Sequence, residues 1–197
     1  KAAFLESVPN LNNQPYLLYL SRIHEKKGCD ILLEGFAQAI KRPELNLIMA
    51  GPCHDDLIDR LKILAAKLGI ENRVHWAGML KGAAKSGAFR GAEAFVLISH
   101  QENFGIAVAE ALAYGKPVLI SDQINIWREI KAGNGGIVAS DTIEGATEVL
   151  TKWESMTPKQ RLDMSAAARF VYEKNFTVKA AAEDLTDALK KAIIGGR

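Results

Sequence analysis

The chain has 197 residues, 48% of them hydrophobic and 24% charged, with a formal net charge of +2. That length supports one sizeable core, and the near-neutral balance with no basic block argues against a nucleic-acid surface. Two cysteines, Cys29 and Cys53, stand outside any metal-type spacing, so a disulfide framework is not expected and a reducing, cytoplasmic setting is the default. No apolar run approaches a membrane span and no signal-peptide pattern opens the sequence, which begins at Lys1 as a processed or excised piece of something longer would.

In chain order, residues 1–15 (KAAFLESVPNLNNQP) are rich in Asn and Pro and read as a lead-in segment, with the folded domain spanning 16–197. Tyr16–Leu20 is predicted as the first strand. Cys29–Ile40 follows as a helix whose inward stripe runs through Ile31, Leu32, Phe36 and Ala39. Leu45–Ala50 is a second strand ending at Gly51-Pro52. Asp55–Leu68 is a helix with acids in its first turn and Gly69 at its end. Val74–Ala77 is a third strand, and only a weak, short helix is expected within Lys81–Arg90. Ala94–Ile98 is the fourth strand, Gly105–Tyr114 a helix, and Pro117–Ile120 the fifth strand. Ile126–Ala132 reads as helix and Gly136–Val138 as a sixth strand. Thr142–Ser155, a helix from Thr157-Pro158 to about Lys174, and Thr177–Ile193 complete the chain as helices. Such βαβα alternation with continuous apolar strands predicts an α/β fold: a Rossmann-like, doubly wound parallel sheet of about six strands with helices on both faces. Ligands in such sheets bind beyond the carboxyl ends of the strands, where Arg22, Gly51, Gly78 and Glu102 fall.

The most specific stretch is ENFGIAVAE, Glu102 to Glu110. A glycine just before a helix opens the first free backbone N–H groups to an anion, which the helix dipole also favours. On one helix, positions 102 and 110 would lie about 12 Å apart along the axis and about 80° apart around it. The two acids are therefore expected to contact opposite ends of one elongated ligand, with phosphates between them. A nucleoside-diphosphate sugar has that layout. For Glu110 the bland alternative is an exposed helix carboxylate, disfavoured by its apolar neighbours. For Glu102 it is a loop acid favoured by the dipole. Arg22 and Lys27 lie in SRIHEKKG, a strand-to-helix loop, and two cations there fit a diphosphate, though the segment alone favours a solvated loop with charges on it and leaves Lys26 open as the alternative to Lys27.

Weaker signals drop out. KGAAKSG at Lys81–Gly87 looks like a phosphate loop, but Ala84 and Met79 stand where that motif needs glycines. GNGG at Gly133–Gly136 has no adjoining helix start and reads as a turn. His24, His54, His75 and His100 show no metal spacing, although His100 is two residues from Glu102. Trp76 and Trp127 read as core or pocket-wall rings. No D-x-D pair is present, so a departing diphosphate would be met by Arg22, Lys27 and backbone N–H groups, with no metal ligands assigned.

Together these segments resemble the C-terminal domain of a retaining glycosyltransferase of the large group-one family, which has the two-domain GT-B fold. YLSRIHEKKG resembles that family's Gly-Arg…Lys-Gly segment, with Ser21 in place of Gly. LNLIMAGP resembles its second strand and glycine turn, and NRVHWAGML its third strand. FVLISHQENFGIAVAEALAYGKPVLISD resembles its signature, with both glutamates in register. FVYEKNFTVKAAAEDL resembles its closing helices. Two departures stand out: Asp122-Gln123-Ile124-Asn125 replaces a Gly-Gly pair, though Glu129 can match the acid that follows, and Ile98-Ser99 replaces Pro-Ser. The resemblance implies that Arg22 and Lys27 bind the donor diphosphate and that Glu102 meets the transferred sugar. Phe104, Gly105 and Ile106 would offer backbone to sugar and phosphate, and Glu110 would hold the ribose. Gly51 and the turn of Gly78, Met79 and Leu80 would border the base.

The implied activity is retaining hexosyl transfer from a UDP-, GDP- or ADP-sugar, without a prosthetic group, to a sugar, polysaccharide or lipid acceptor. An absent N-terminal domain would bind that acceptor, and association with the cytoplasmic membrane face is left to it. A sugar-nucleotide epimerase on the same scaffold and a non-catalytic nucleotide-binding module are the alternatives.

Overall fold

A computed structural model describes residues 2–53, 56–180, 182 and 186. Strands β1 (Tyr16–Leu20), β2 (Asn46–Ala50), β3 (Val74–Gly78), β4 (Ala94–Leu97), β5 (Val118–Ser121) and β6 (Gly136–Ala139) form one sheet in the order β3-β2-β1-β4-β5-β6. Every pairing is parallel. The central strands are buried along almost their whole length, which is why they read as unbroken apolar runs. Among the described residues no helix is long and apolar enough to cross a membrane.

The helices are α1 (Ala2–Ser7), α2 (Cys29–Ala39), α3 (Leu57–Lys67), α4 (Gly82–Gly91), α5 (Ile106–Ala113), α6 (Trp127–Ala132), α7 (Ile143–Ser155) and α8 (Pro158–Asn175). Right-handed crossovers place α2 and α3 on one face and α4, α5 and α6 on the other. The last two helices then split: α7 returns to pack on α2, and α8 lies against α5 and α6. A Thr157–Gln160 capping box with Pro158 at the first position starts α8 where the sequence signals place it.

Two elements differ from expectation. Residues 1–15 contain α1 and a one-turn helix at Pro9–Leu11, and Phe4 and Leu11 are fully buried. Phe4 packs its ring 5.2 Å from Tyr16, so this segment closes the core beside β1. The helix expected to be weak is the full ten-residue α4. Tertiary contacts hold it: the Tyr16 hydroxyl donates to the Ala88 carbonyl at 2.8 Å, and Phe89 stacks on Tyr114 with centroids 5.2 Å apart. The closing helix expected over Thr177–Ile193 lies mostly outside the described residues.

Strand order reverses between β1 and β4. The connections leaving their carboxyl ends, 21–28 and 98–105, therefore lead to helices on opposite faces of the sheet, the place where ligands bind in such folds, and they touch where the His100 amide donates to the Lys26 carbonyl.

Candidate functional site

Arg22, Lys27, Glu102 and Gly105 all come from those two loops. The first loop is short and tied down. The Tyr19 hydroxyl donates to the Arg22 carbonyl at 2.9 Å, and the Ile23 amide donates to the Pro52 carbonyl at 2.9 Å. A single helical turn at Glu25–Lys27 follows, with His24 as its cap. That turn separates the two candidate lysines. Lys26 points outward and uses its carbonyl to accept from the His100 amide and the Ser99 hydroxyl. Lys27 is buried and its Nζ lies 2.5 Å from Glu102 Oε1, so of the two lysines it is Lys27 that meets the acid of the second loop. The side chains of this pair are 11% and 22% exposed, so both charges are largely out of water and each depends on the other.

Arg22 occupies the same rim but is exposed, and its guanidinium has no partner among the described residues. The structure therefore brings Lys27 and Glu102 into contact and leaves Arg22 as an unengaged cation beside them.

Glu102 is not helical. It forms an isolated parallel bridge with Ile124, its N–H donating to the Gln123 carbonyl and its own carbonyl accepting from the Asn125 N–H, both at 3.1 Å. The segment 122–125 thus supports the Glu102 loop from behind. The buried Ser99 and Ser121 stitch the ends of β4 and β5, with the Ser121 hydroxyl donating to the Ser99 carbonyl at 2.5 Å.

Gly105 then starts α5 in the left-handed region, at φ 71°. The amides of Gly105, Ile106 and Ala107 have no acceptor among the described residues, and Ile106 is 71% exposed. This is an open helix N-terminus at the point where strand order reverses, suited to an anion. Phe104, beside it, is 46% exposed and held edge-on by Phe176 at 5.8 Å, so the chain after α8 returns to brace this loop.

Glu110 lies one turn into α5, about 6 Å further along the axis by helix rise. It is half-buried and its Oε1 accepts from Lys85 Nζ at 2.7 Å. Neither the weak helix nor the incomplete phosphate-loop pattern of Lys81–Arg90 singles out Lys85. The contact joins α4 to α5 across 25 residues of sequence, and no local pattern announces it.

On the far side, Gly51 closes the ends of three strands. Its N–H donates to the Gly78 carbonyl at 2.8 Å, and any Cβ there would stand 1.8 Å from the Ser21 carbonyl oxygen at φ 149°. Gly78 and the exposed Met79 form the turn before α4, while Leu80 is buried beneath it.

His100 is also fixed, its Nδ1 2.7 Å from Asp141 Oδ2. It borders a cleft of about 470 Å³ between α2 and α3, lined also by Cys29, Leu57, Leu61 and Leu64. That cleft is lined by none of Arg22, Lys27, Glu102 or Glu110. Burial and not function sets the clearest pKa shift nearby: it pushes the Cys29 thiol up to about 11.

A family profile described as Glycosyl transferases group 1 matches residues 3–171. An uncharacterized glycosyltransferase of Methanocaldococcus jannaschii is 28% identical over 179 residues, covering 88% of this chain and 44% of that protein. The structure of Anabaena HepE in complex with UDP and glucose superposes with a TM-score of 0.79 at 20% identity, covering 95% of this chain and 51% of the other. A crystal structure of the C-terminal domain of a group 1 family glycosyl transferase from Francisella tularensis gives a TM-score of 0.76 at 16% identity, covering 89% of this chain and 93% of that one. At these identities the structural likeness speaks to the fold, which is one half of a GT-B architecture. The chain spans less than half the length of the curated relative.

Proposed function

The chain belongs to the glycosyl transferases group 1 family, and we propose that it forms the donor-binding half of an enzyme that transfers a sugar from a nucleoside-diphosphate sugar to an acceptor with retention at the anomeric carbon. The observation that carries this reading is the pairing of Lys27 with Glu102 beside the open amides of α5, at the point where strand order reverses. A cation, three unused N–H groups and an acid lie where a diphosphate and its sugar would meet.

In this reading Arg22, Lys27 and the amides of Gly105 and Ile106 take the diphosphate. Glu102 and the backbone at Phe104 face the sugar. Glu110 accepts hydrogen bonds from the ribose, and Gly51 with the Gly78–Leu80 turn borders the base. The carbon–oxygen bond to the diphosphate breaks and a bond to the acceptor oxygen forms on the same face of the ring. The acceptor hydroxyl passes its proton to the departing diphosphate oxygen, which then loses it to solvent, so the nucleoside diphosphate leaves as the anion. Charge gathers on the leaving oxygen in an oxocarbenium-like transition state, and preorganised donors aimed there contribute most. Removing one such donor costs about 3–4 kcal/mol in other enzymes.

The acceptor site is assigned to a further, N-terminal domain, consistent with the chain's coverage of its relatives. Work on a nucleotide-sugar fits the cytoplasm, at the membrane face where the acceptor is a lipid.

The test is a thermal-shift panel of UDP, GDP and ADP with their hexose conjugates. Ligand at about a hundred times its Kd adds about 2.7 kcal/mol, or a rise of about 5–10 °C for a domain of this size. A panel in which no nucleoside diphosphate moves the transition would defeat the proposal.

A further inference from the structure

Glu110 has a partner that neither the family signature nor the strand-end geometry called for. Lys85 Nζ stands 2.7 Å from its Oε1, while Oε2 has no hydrogen bond among the described residues. The contact is not a loose encounter of two long side chains on one helix. Lys85 belongs to the first turns of α4 and Glu110 to the middle of α5. The next residue, Ser86, hydrogen-bonds the Tyr114 hydroxyl at 2.6 Å, and Phe89 stacks on that same ring with planes 7° apart. The two helices are thus joined at Tyr114, one turn beyond Glu110, which restricts where the ammonium can stand. The pair is reachable by solvent, its side chains 32% and 37% exposed.

Two physical consequences follow. A half-exposed carboxylate rotates freely about its terminal torsion, and anchoring one oxygen leaves the other in a set direction. A bare carboxylate one helical turn from an anion-binding N-terminus would also repel the anion, and a cation held on it cancels much of that repulsion. We infer that Lys85 is a positioning residue at the ribose end of the donor site, holding Glu110 so that its free oxygen accepts from the ribose diol. It would make the site selective for ribonucleotides over their deoxy analogues. The inference rests on the nucleotide-sugar reading given above and adds to it the residue that sets sugar-diol recognition.

The experiment titrates the 197-residue chain with UDP, GDP and ADP by calorimetry. The best-bound of these is then compared with its 2′,3′-dideoxy form in wild type, Lys85→Met and Lys85→Arg, with melting temperatures recorded alongside. A hydrogen bond to a charged acceptor predicts that wild type prefers the ribonucleotide about tenfold or more. In Lys85→Met that preference should fall to about twofold at an unchanged melting temperature, and Lys85→Arg should restore most of it. Full discrimination in Lys85→Met, or none regained with arginine, overturns the role of Lys85. Wild type that binds the diphosphate but ignores the missing hydroxyls overturns it at Glu110 while leaving the diphosphate site standing. Failure to bind any of the three nucleotides removes the underlying reading and this inference with it.

Discussion

Replacing Lys27 by methionine separates the two tasks given to that side chain. Methionine keeps an unbranched apolar stem of similar reach, so packing along the Lys27 stem is largely retained and the ammonium alone is lost. The Glu102 carboxylate, only 22% exposed, then loses its sole hydrogen-bonded cation among the described residues. Removing one partner of a fully buried pair costs about 3–5 kcal/mol. The water that still reaches Glu102 reduces this to about 1–3 kcal/mol. For a domain of this size the melting temperature should drop by about 2–12 °C. Glu102→Gln should cost at least as much, because the ammonium it strands is the more buried of the two charges. The double variant Lys27→Met/Glu102→Gln should recover most of the loss, a coupling of about 1–3 kcal/mol read by urea unfolding across the four proteins. Binding should not follow stability. Nucleoside diphosphate affinity should fall in both variants that lack the lysine and persist in Glu102→Gln, whose lysine is released towards phosphate. Additive stabilities would refute the pair, and a double variant that binds nucleotide like wild type would refute Lys27 as a phosphate ligand.

Three further outcomes are expected. Gly51→Ala places a Cβ 1.8 Å from the Ser21 carbonyl at a backbone angle that L residues avoid, so it should destabilise by more than about 2 kcal/mol in urea and abolish the nucleotide-induced thermal shift; a stable, binding-competent variant would contradict the strand-end geometry. Acid should weaken the fold in two steps. Burial holds the His75 ring below its ordinary value, and for Glu154 burial pushes the carboxyl up but the Arg42 N–H groups draw it down further. Both folded-state values are depressed, so their stabilisation is complete above the unfolded values and is lost as pH falls, first below about 6.5 and then below about 4.5. His75→Gln should remove the first step from a series of melting curves. Finally, with its thiol buried and raised to about 11, Cys29 should resist iodoacetamide in the native protein while the partly exposed Cys53 is modified, as peptide mass spectrometry would report. Equal labelling of both would contradict that burial.

The central strands were legible because the sheet buries them on both faces. Leu17 to Tyr19, Leu47 to Ala50 and Phe95 to Leu97 have almost no surface and no room for polar residues. Their limits fell within a residue or two, as hydrogen-bond definitions allow. The parts that read poorly owe their form to distant contacts. Helix α1 has too few residues to show a period, and its fold depends on Phe4 meeting Tyr16. Helix α4 carries glycines that lower its propensity, and Tyr16 and Tyr114 supply what the local sequence lacks.

The same division runs through the site. Where a loop leaves a strand is fixed by topology, so Arg22, Lys27, Gly51 and Glu102 could be placed at one end of the sheet before any coordinates. Which side chain then meets which is not fixed by topology. Lys27 finds Glu102 across 75 residues and Lys85 finds Glu110 across 25. Each pair joins the acid of a β4–α5 segment to a base from a neighbouring loop or helix, so both ends of the proposed donor have their acid neutralised in advance. An anion entering between them would meet Arg22 and open amides and not two bare carboxylates. That order of charges lets the β4–α5 segment carry one acid before the helix and one inside it and still present a diphosphate with open amides. Arg22, with no acid of its own among the described residues, stands exposed at the same rim.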